Sequence, residues 1–377
     1  MRAEIVLLAS LCSCASAFAP AGAALLAVSR VRPGWSPVLS LRMQSSAKPG
    51  KKSTAREVLE YFDADLSGKT AVITGANSGI GLETVKALAS VGCRVIAGVR
   101  NVEAGRAAID SEVTQPGEGG YVVAEPEIEV RELDLSDLMS VERFARGLQE
   151  ERINLLVNNA GIMALPSREV TVQGFEKQIG VNHFGHFHLT NLLLPGMQAQ
   201  GSPARIVTLS SVAHESFGEF DVNDLHYSAG RKYSAWGAYG QSKLANLLFT
   251  KALHSRLVAE RDCQISSLAV HPGVIRTALW REQASWFNSL LLPFLQDKTI
   301  PQGAATTVYA CVAPEFSDVM RAGAYLSDCK VAVPSAQARS QINWQALWLA
   351  TEGQIAAAMP GQAKDAADAD VNVGAAA

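Results

Sequence analysis

Short apolar runs alternate with stretches of helical periodicity through the middle of the chain. Thr70-Ala71-Val72-Ile73 reads as a short buried strand. The glycine-rich turn Thr74-Gly75-Ala76-Asn77-Ser78-Gly79-Ile80-Gly81 follows at once, and residues 82–89 repeat their apolar positions at helical spacing. Residues 94–99 form a second strand that closes at Arg100. Residues 128–135 read as a third, ending in an acidic turn. Residues 153–157 read as a fourth, running into Asn158-Asn159-Ala160-Gly161. Strands separated by helical segments, with no internal repeat, predict one α/β domain.

Strand, glycine turn and helix in that order make the setting of a nucleotide site. Glycines admit the backbone close to a pyrophosphate, whose charge sits at the positive end of the helix. The spacing here is Gly-x3-Gly-x-Gly, distinct from the general Gly-x-Gly-x-x-Gly fingerprint. An NAD site needs a carboxylate near the end of the second strand; Gly98 and Val99 offer none. Arg100 instead supplies a cation for a 2′-phosphate, which favours NADP(H), unless it is an ordinary surface arginine. Asp134 either borders the adenine or caps the helix expected near Ser136.

Tyr239 and Lys243 stand four residues apart, one helical turn, on one face. A phenol and an ammonium facing a cleft make an acid/base pair, and the lysine charge is expected to draw the tyrosine pKa down towards neutrality. Tyr227 and Arg231 repeat the spacing nearby, so spacing alone does not single out the pair.

The glycine turn, Asn158-Asn159-Ala160-Gly161, Asn182, Ser211, the Tyr239/Lys243 pair and His271-Pro272-Gly273 together resemble the short-chain dehydrogenases/reductases, from about Leu66 to Gln354. Segments such as NSGIG, NNAGIM, SSVAHE and HPGVIRT are similar to the retinol-dehydrogenase-like branch. A chloroplast-envelope reductase associated with the protein-import translocon belongs to the same neighbourhood. The resemblance implies a single Rossmann-type doubly wound parallel sheet with helices on both faces. It implies Tyr239 as proton donor, Lys243 on the nicotinamide ribose, Ser211 on the substrate carbonyl, and Asn182 steadying a water chain to Lys243. Ser210 competes with Ser211, but strand alternation sends the two to opposite faces. The implied NADP(H) contacts are Gly75, Asn77, Ser78, Gly79, Ile80, Gly81, Arg100, Asp134, Leu135, Asn158, Ala160, Gly161, Tyr239, Lys243, Pro272, Gly273 and Thr277. The 28 residues from Ser211 to Tyr239 match an insertion carried by that branch.

No metal is required. His183, His186 and His188 crowd together without a His-Glu-x-x-His pattern, and on a helix His188 points away from the other two. They read as core or surface imidazoles. Four cysteines beyond the leader, Cys93, Cys263, Cys311 and Cys329, are scattered without zinc spacing and suit a reducing compartment.

The N-terminus reads as a signal peptide over 1–17, with an apolar run too short to span a bilayer and a small-residue cleavage site. Residues 18–56 contain no Asp or Glu and have transit-peptide composition. ASAFAP around Phe18 resembles the two-part leaders of algae with complex plastids. A plastid location is expected, with secretion or an endomembrane site as the alternative. The reductase domain is expected over 57–353 and a low-complexity Ala/Asp tail over 354–377. Residues 1–56 hold eight basic residues and one acid, which leaves 25 basic against 35 acidic in the rest. So acidic a body has no footprint for nucleic acid.

The apolar stretch 286–294 reads as a lid over a hydrophobic substrate, a membrane-surface contact or plain core. The expected activity is NADPH-dependent reduction of a hydrophobic aldehyde or ketone. A redox-sensing subunit of a plastid import complex and a protochlorophyllide reductase are the alternatives. Peripheral membrane contact and a homodimer are compatible with the sequence.

Overall fold

The computed structural model describes residues 47–113, 121, 123, 126–260, 262–275 and 297–360. Thr277, the apolar stretch 286–294, the leader through 46 and the tail from 361 lie outside the described residues.

Seven parallel strands form the sheet: β1 (Thr70–Thr74), β2 (Arg94–Val99), β3 (Ile128–Glu132), β4 (Leu155–Asn158), β5 (Ala204–Leu209), β6 (Ile265–His271) and β7 (Tyr325–Ser327). An eighth, β8 (Lys330–Ala332), returns antiparallel to β7. Their spatial order is β3-β2-β1-β4-β5-β6-β7-β8. Chain progress reverses between β1 and β4, the switch point where open α/β sheets bind ligands.

Strand alternation builds two cores. Val72, Ile96, Leu156 and Ile206 point to one face, and Ala71, Ile73, Val95, Val157 and Val207 to the other. Helices α1 (Ala55–Tyr61), α2 (Gly79–Ala89) and α3 (Val102–Val113) pack on the second face. Helix α4 (Leu138–Arg146) packs on the first. There it meets a continuous helical stretch: α5 (Lys177–Ile179), a π-turn over Gly180–Phe184, and α6 (Gly185–Ala199). After β5 come α7 (Ala213–Ser216) and the long α8 (Ala235–Ala259); after β6 comes α9 (Ile300–Val312). The short α10 (Ala336–Arg339) and α11 (Gln341–Ala358) close the described chain.

Several boundaries differ from the sequence reading, β4 among them, which runs from Leu155 to Asn158 instead of over 153–157. β3 stops at Glu132, short of 135, because Asp134 folds back onto Ser136 through its Oδ1 (2.9 Å to the backbone N, 2.7 Å to Oγ). Helix α1 begins at Ala55, inside the stretch whose composition suggested a leader. Thr54 and Glu57 form a capping box there, and Lys51 pairs with Asp297 at 3.2 Å. Helix α11 runs past Gly353 to Ala358. No helix among the described residues is long and apolar enough to cross a membrane.

Candidate active site

The ends of β1 and β4 are knitted together by side chains. Thr74 Oγ1 accepts from the backbone N–H groups of Asn159 and Ala160, both at 2.9 Å. Asn159 Nδ2 donates to the carbonyls of Thr74 (2.8 Å) and Gly75 (3.2 Å). Backbones this close leave no room for side chains. A Cβ on Gly81 would lie 2.2 Å from the Gly75 carbonyl oxygen, and one on Gly75 would lie 2.9 Å from Ala160 Cα. Gly75 and Gly79 also hold φ of 63° and 54°, which glycine adopts freely. Ser78 precedes α2 without a side-chain cap bond, leaving the first-turn N–H groups facing the crevice. This cradle fits the pyrophosphate of a dinucleotide.

The crevice has a volume of about 600 Å³. Arg100 lines it at the end of β2, and Leu209, Ser210 and Tyr239 line it near the end of β5. Three inter-strand steps of about 4.8 Å separate those strands, about 14 Å across, a length that suits an extended dinucleotide.

Helix α8 carries Tyr239 and Lys243 through the interior, so both side chains are buried although one is charged. Ser234 caps the helix by accepting from Gly237 N. Lys243 Nζ donates to the Leu209 carbonyl at 3.1 Å, and Asn246 Nδ2 donates to the same oxygen at 2.9 Å. The ammonium lies 5.8 Å from the Tyr239 ring centre. Ser211 is near enough to Tyr239 for its side chain to act on the phenol, and its Oγ accepts from Ala213 N at 3.2 Å.

The expected fall of the tyrosine pKa does not occur in this ligand-free geometry. Burial pushes the phenol up to about 12, the Ser211 bond acting against it. The same desolvation brings Lys243 down to about 8. Removal from water is the leading cause at both groups.

Ser210 and Ser211 do part company, but not by strand alternation, since β5 ends at Leu209. Ser210 Oγ turns inward to the Lys243 carbonyl at 2.8 Å, whereas the Ser211 side chain acts on Tyr239. Asn182 lies in the π-turn, its side chain on the Ile162 backbone and on Ser242 Oγ (2.8 Å). A Cβ on Gly161 would come within 3.3 Å of Asn182 Oδ1 and 3.4 Å of Lys243 Nζ, so these two groups flank the same glycine.

Gly75, Asn77, Ser78, Gly79, Ile80, Gly81, Arg100, Asp134, Leu135, Ala160, Gly161, Tyr239, Lys243 and Pro272 all line the crevice. Asn158 is not among the lining residues. It is buried and donates to Thr190 (3.0 Å) and Thr208 (3.4 Å), so the wall position belongs to Asn159. Asp134 lines the wall while holding Ser136, and Asp137 caps α4. Gly273 turns at φ 99° against the Lys298 side chain. Sequence reasoning missed Gly98, Ile162, Met163 and Val181 in the lining; only Gly98 had a signal, a glycine inside a strand.

The three histidines face different ways. His186 bridges Thr74 Oγ1 (2.8 Å) and the Asn182 carbonyl (2.9 Å), His183 meets Thr351 Oγ1 (3.0 Å), and His188 faces Glu142 (3.4 Å).

Comparison with known proteins agrees with this geometry. The short chain dehydrogenase family model matches residues 69–288. Human retinol dehydrogenase 12 is 41% identical over 292 residues, covering 76% of this chain and 86% of that protein. Short-chain dehydrogenase TIC 32 A, chloroplastic, of Brassica napus is 40% identical over 295 residues, covering 76% and 88%. A crystal structure of an uncharacterised Mycobacterium paratuberculosis protein superposes with a TM-score of 0.61 at 39% identity, covering 77% of this chain and 94% of that one. A Beutenbergia cavernae structure containing NADP at low occupancy does so with a TM-score of 0.52 at 26% identity, covering 70% and 95%. The chain belongs to the short-chain dehydrogenase/reductase family of oxidoreductases, which use NAD(P)(H).

Proposed function

We propose that the protein reduces a hydrophobic aldehyde or ketone with NADPH inside a plastid. One observation carries the reading: Tyr239 and Lys243 stand together on the wall of a crevice closed to side chains by its glycine cradle, with the Ser211 side chain acting on the phenol.

NADPH, when bound, supplies hydride to the carbonyl carbon. Ser211 and Tyr239 orient the carbonyl oxygen and meet the negative charge that grows on it. Tyr239 then gives up its proton. A phenol pushed up to about 12 is protonated at neutral pH, the state a donor needs. Lys243, brought down to about 8, still carries charge at pH 7 and is aimed by the Leu209 carbonyl. Met163, Ala164, Ala213 and Trp236 pack around Tyr239, an apolar wall suited to an apolar substrate. Exposed Arg100 has no hydrogen bond or ion pair among the described residues and is the cation for a 2′-phosphate. The retinol dehydrogenases among the relatives support the substrate class, and the chloroplastic relative supports the compartment, together with the acid-free stretch 18–56.

The test is the purified protein with a panel of aldehydes and ketones, NADPH set against NADH. Tyr239→Phe is expected to lose at least about 100-fold in kcat while binding NADPH as the parent does. Unchanged turnover would falsify the reading.

The similarity to the TIC 32 protein favours a second reading, a redox-reporting subunit of a plastid import complex. Co-purification with envelope translocon components, and release by NADPH, would support it; a protein that turns over carbonyls and is recovered alone would not.

A further inference from the structure

The hydroxyl of Ser211 is only as well placed as its backbone, because β5 ends two residues earlier and no ladder holds it. His214 grips it twice, and the backbone N–H of His214 donates to the Ser211 carbonyl at 3.1 Å beside the ring. His214 Nδ1 lies 2.6 Å from the Ser211 carbonyl oxygen, and His214 Nε2 lies 3.2 Å from the backbone N of Ser335. A carbonyl oxygen only accepts and a peptide N–H only donates. Nδ1 therefore carries the proton and Nε2 presents its lone pair, which fixes one neutral tautomer. Burial, which lowers the His214 pKa, acts in the same direction.

The ring has little freedom to leave this arrangement. His214 is 1% exposed, and Tyr325 packs edge-on against it at 5.3 Å between ring centres. The 335–337 segment makes a second tie to the same region. Gln337 accepts from Phe220 N at 3.0 Å and donates to the Gly218 carbonyl at 3.4 Å. One residue on, Val212 N donates to His271 Nδ1 at 3.3 Å. Of these two imidazoles, only His214 reaches the Ser211 carbonyl.

We propose that His214 is the positioning residue for Ser211. As the Nδ1–H tautomer it ties the serine's backbone to the 335–337 segment at the start of α10, and so sets where the Ser211 hydroxyl stands. The inference rests on the reductase reading for its effect on rate, and it deepens that reading by adding the C-terminal segment to the site.

Two variants separate the two nitrogens. His214→Asn keeps an amide N–H near the Nδ1 position; His214→Gln moves its amide out to the Nε2 position and leaves the Ser211 carbonyl with the backbone N–H of residue 214 alone. His214→Gln is expected to lower kcat by about 10- to 100-fold, the scale of a misplaced catalytic group. NADPH affinity, read by fluorescence titration, should stay as in the parent. His214→Asn should recover most of the rate. Equal losses in the two variants, no loss in His214→Gln, or a loss of NADPH affinity matching the loss of kcat would each overturn the proposal. The second measurement is the ¹⁵N spectrum of histidine-labelled parent protein at pH 7, which needs neither turnover nor a folded variant. A His214 signal of the Nδ1–H tautomer is expected; an Nε2–H tautomer or an imidazolium overturns the proposal by itself. A parent protein that reduces no carbonyl refutes the reductase reading and leaves this spectrum to decide the placement of His214.

Discussion

Asn182 binds the backbone of Ile162 as a neighbouring strand would. Its Oδ1 accepts from Ile162 N at 2.8 Å, and its Nδ2 donates to the Ile162 carbonyl at 2.9 Å. The same Nδ2 reaches Ser242 Oγ, which donates onward to the Tyr239 carbonyl at 2.7 Å. One amide thus fixes the loop after β4 against the helix that carries the catalytic pair. Asn182→Leu keeps the bulk and removes every bond, leaving half-buried Ile162 backbone groups unmatched at up to about 1–3 kcal/mol each. At about 2–4 °C per kcal/mol, Tm should fall by roughly 5–15 °C, with kcat down at least about 10-fold. Calorimetry and steady-state kinetics on the same preparation check both; an intact Tm with an intact rate would remove the clamp from the account.

Much of this site was legible from local pattern. β2 occupies residues 94–99 as read, because an apolar run between a turn and a glycine turn has few other solutions. The cradle was legible because backbone contact demands glycine, and glycine is visible in a sequence. What escaped depended on long-range partners. Asn158 and Asn159 are the same residue type one position apart, and only the partners each finds, Thr190 and Thr208 for Asn158 and the Thr74 and Gly75 carbonyls for Asn159, decide which of them lines the crevice. The Tyr239 pKa could not be read from its neighbour's charge, because the degree of burial belongs to the whole fold. The start of α1 hid inside leader-like composition, since a capping box is four residues long and composition is read over dozens.

Gly81 makes the sharpest test of the cradle. Its Cβ would meet the Gly75 carbonyl oxygen at 2.2 Å and Asn159 Nδ2 at 2.5 Å. The carbonyl is backbone and cannot swing aside, so Gly81→Ala must push α2 away from the turn. Overpacking of this kind costs about 1–3 kcal/mol, a Tm loss of roughly 2–12 °C. Displacing α2 should weaken NADPH binding at least about 10-fold. Gly196→Ala is the control, with nothing within 4 Å of its new Cβ. Equal behaviour of the two variants would mean that the close approach is relaxed at no cost.

Stability should fall steeply with acid. All seven histidines have their pKa lowered, in each case first by desolvation, to about 3 for His183 and about 4 for His186 and His271. Unfolded histidines titrate near 6.5. Below that pH the unfolded chain binds protons that the folded chain refuses, so their contribution is complete above about pH 7.5 and drains away as pH falls through 6.5 towards 4. Glu176, its pKa raised by burial, acts in the opposite sense, one carboxyl against seven imidazoles. Denaturant unfolding at pH 7.5 and 5.5 should show uptake of several protons at the lower pH. A flat stability profile across that window would mean that the imidazoles titrate freely in the native state.

Arg100 ends β2 at the crevice wall, and among the described residues nothing competes for its guanidinium. Gly98 and Val99 before it bring no carboxylate to a ribose hydroxyl. A charge-assisted bond to a 2′-phosphate contributes about 1.5–3 kcal/mol, which at 1.4 kcal/mol per tenfold is about 10- to 100-fold in affinity. Arg100→Ala should raise the KM for NADPH by that factor and leave NADH within about twofold. The salt dependence of NADPH binding should weaken as well, because one exposed charge has left the encounter. Losing both cofactors equally would instead assign Arg100 to the packing of the strand end, and losing neither would move the 2′-phosphate elsewhere on the rim.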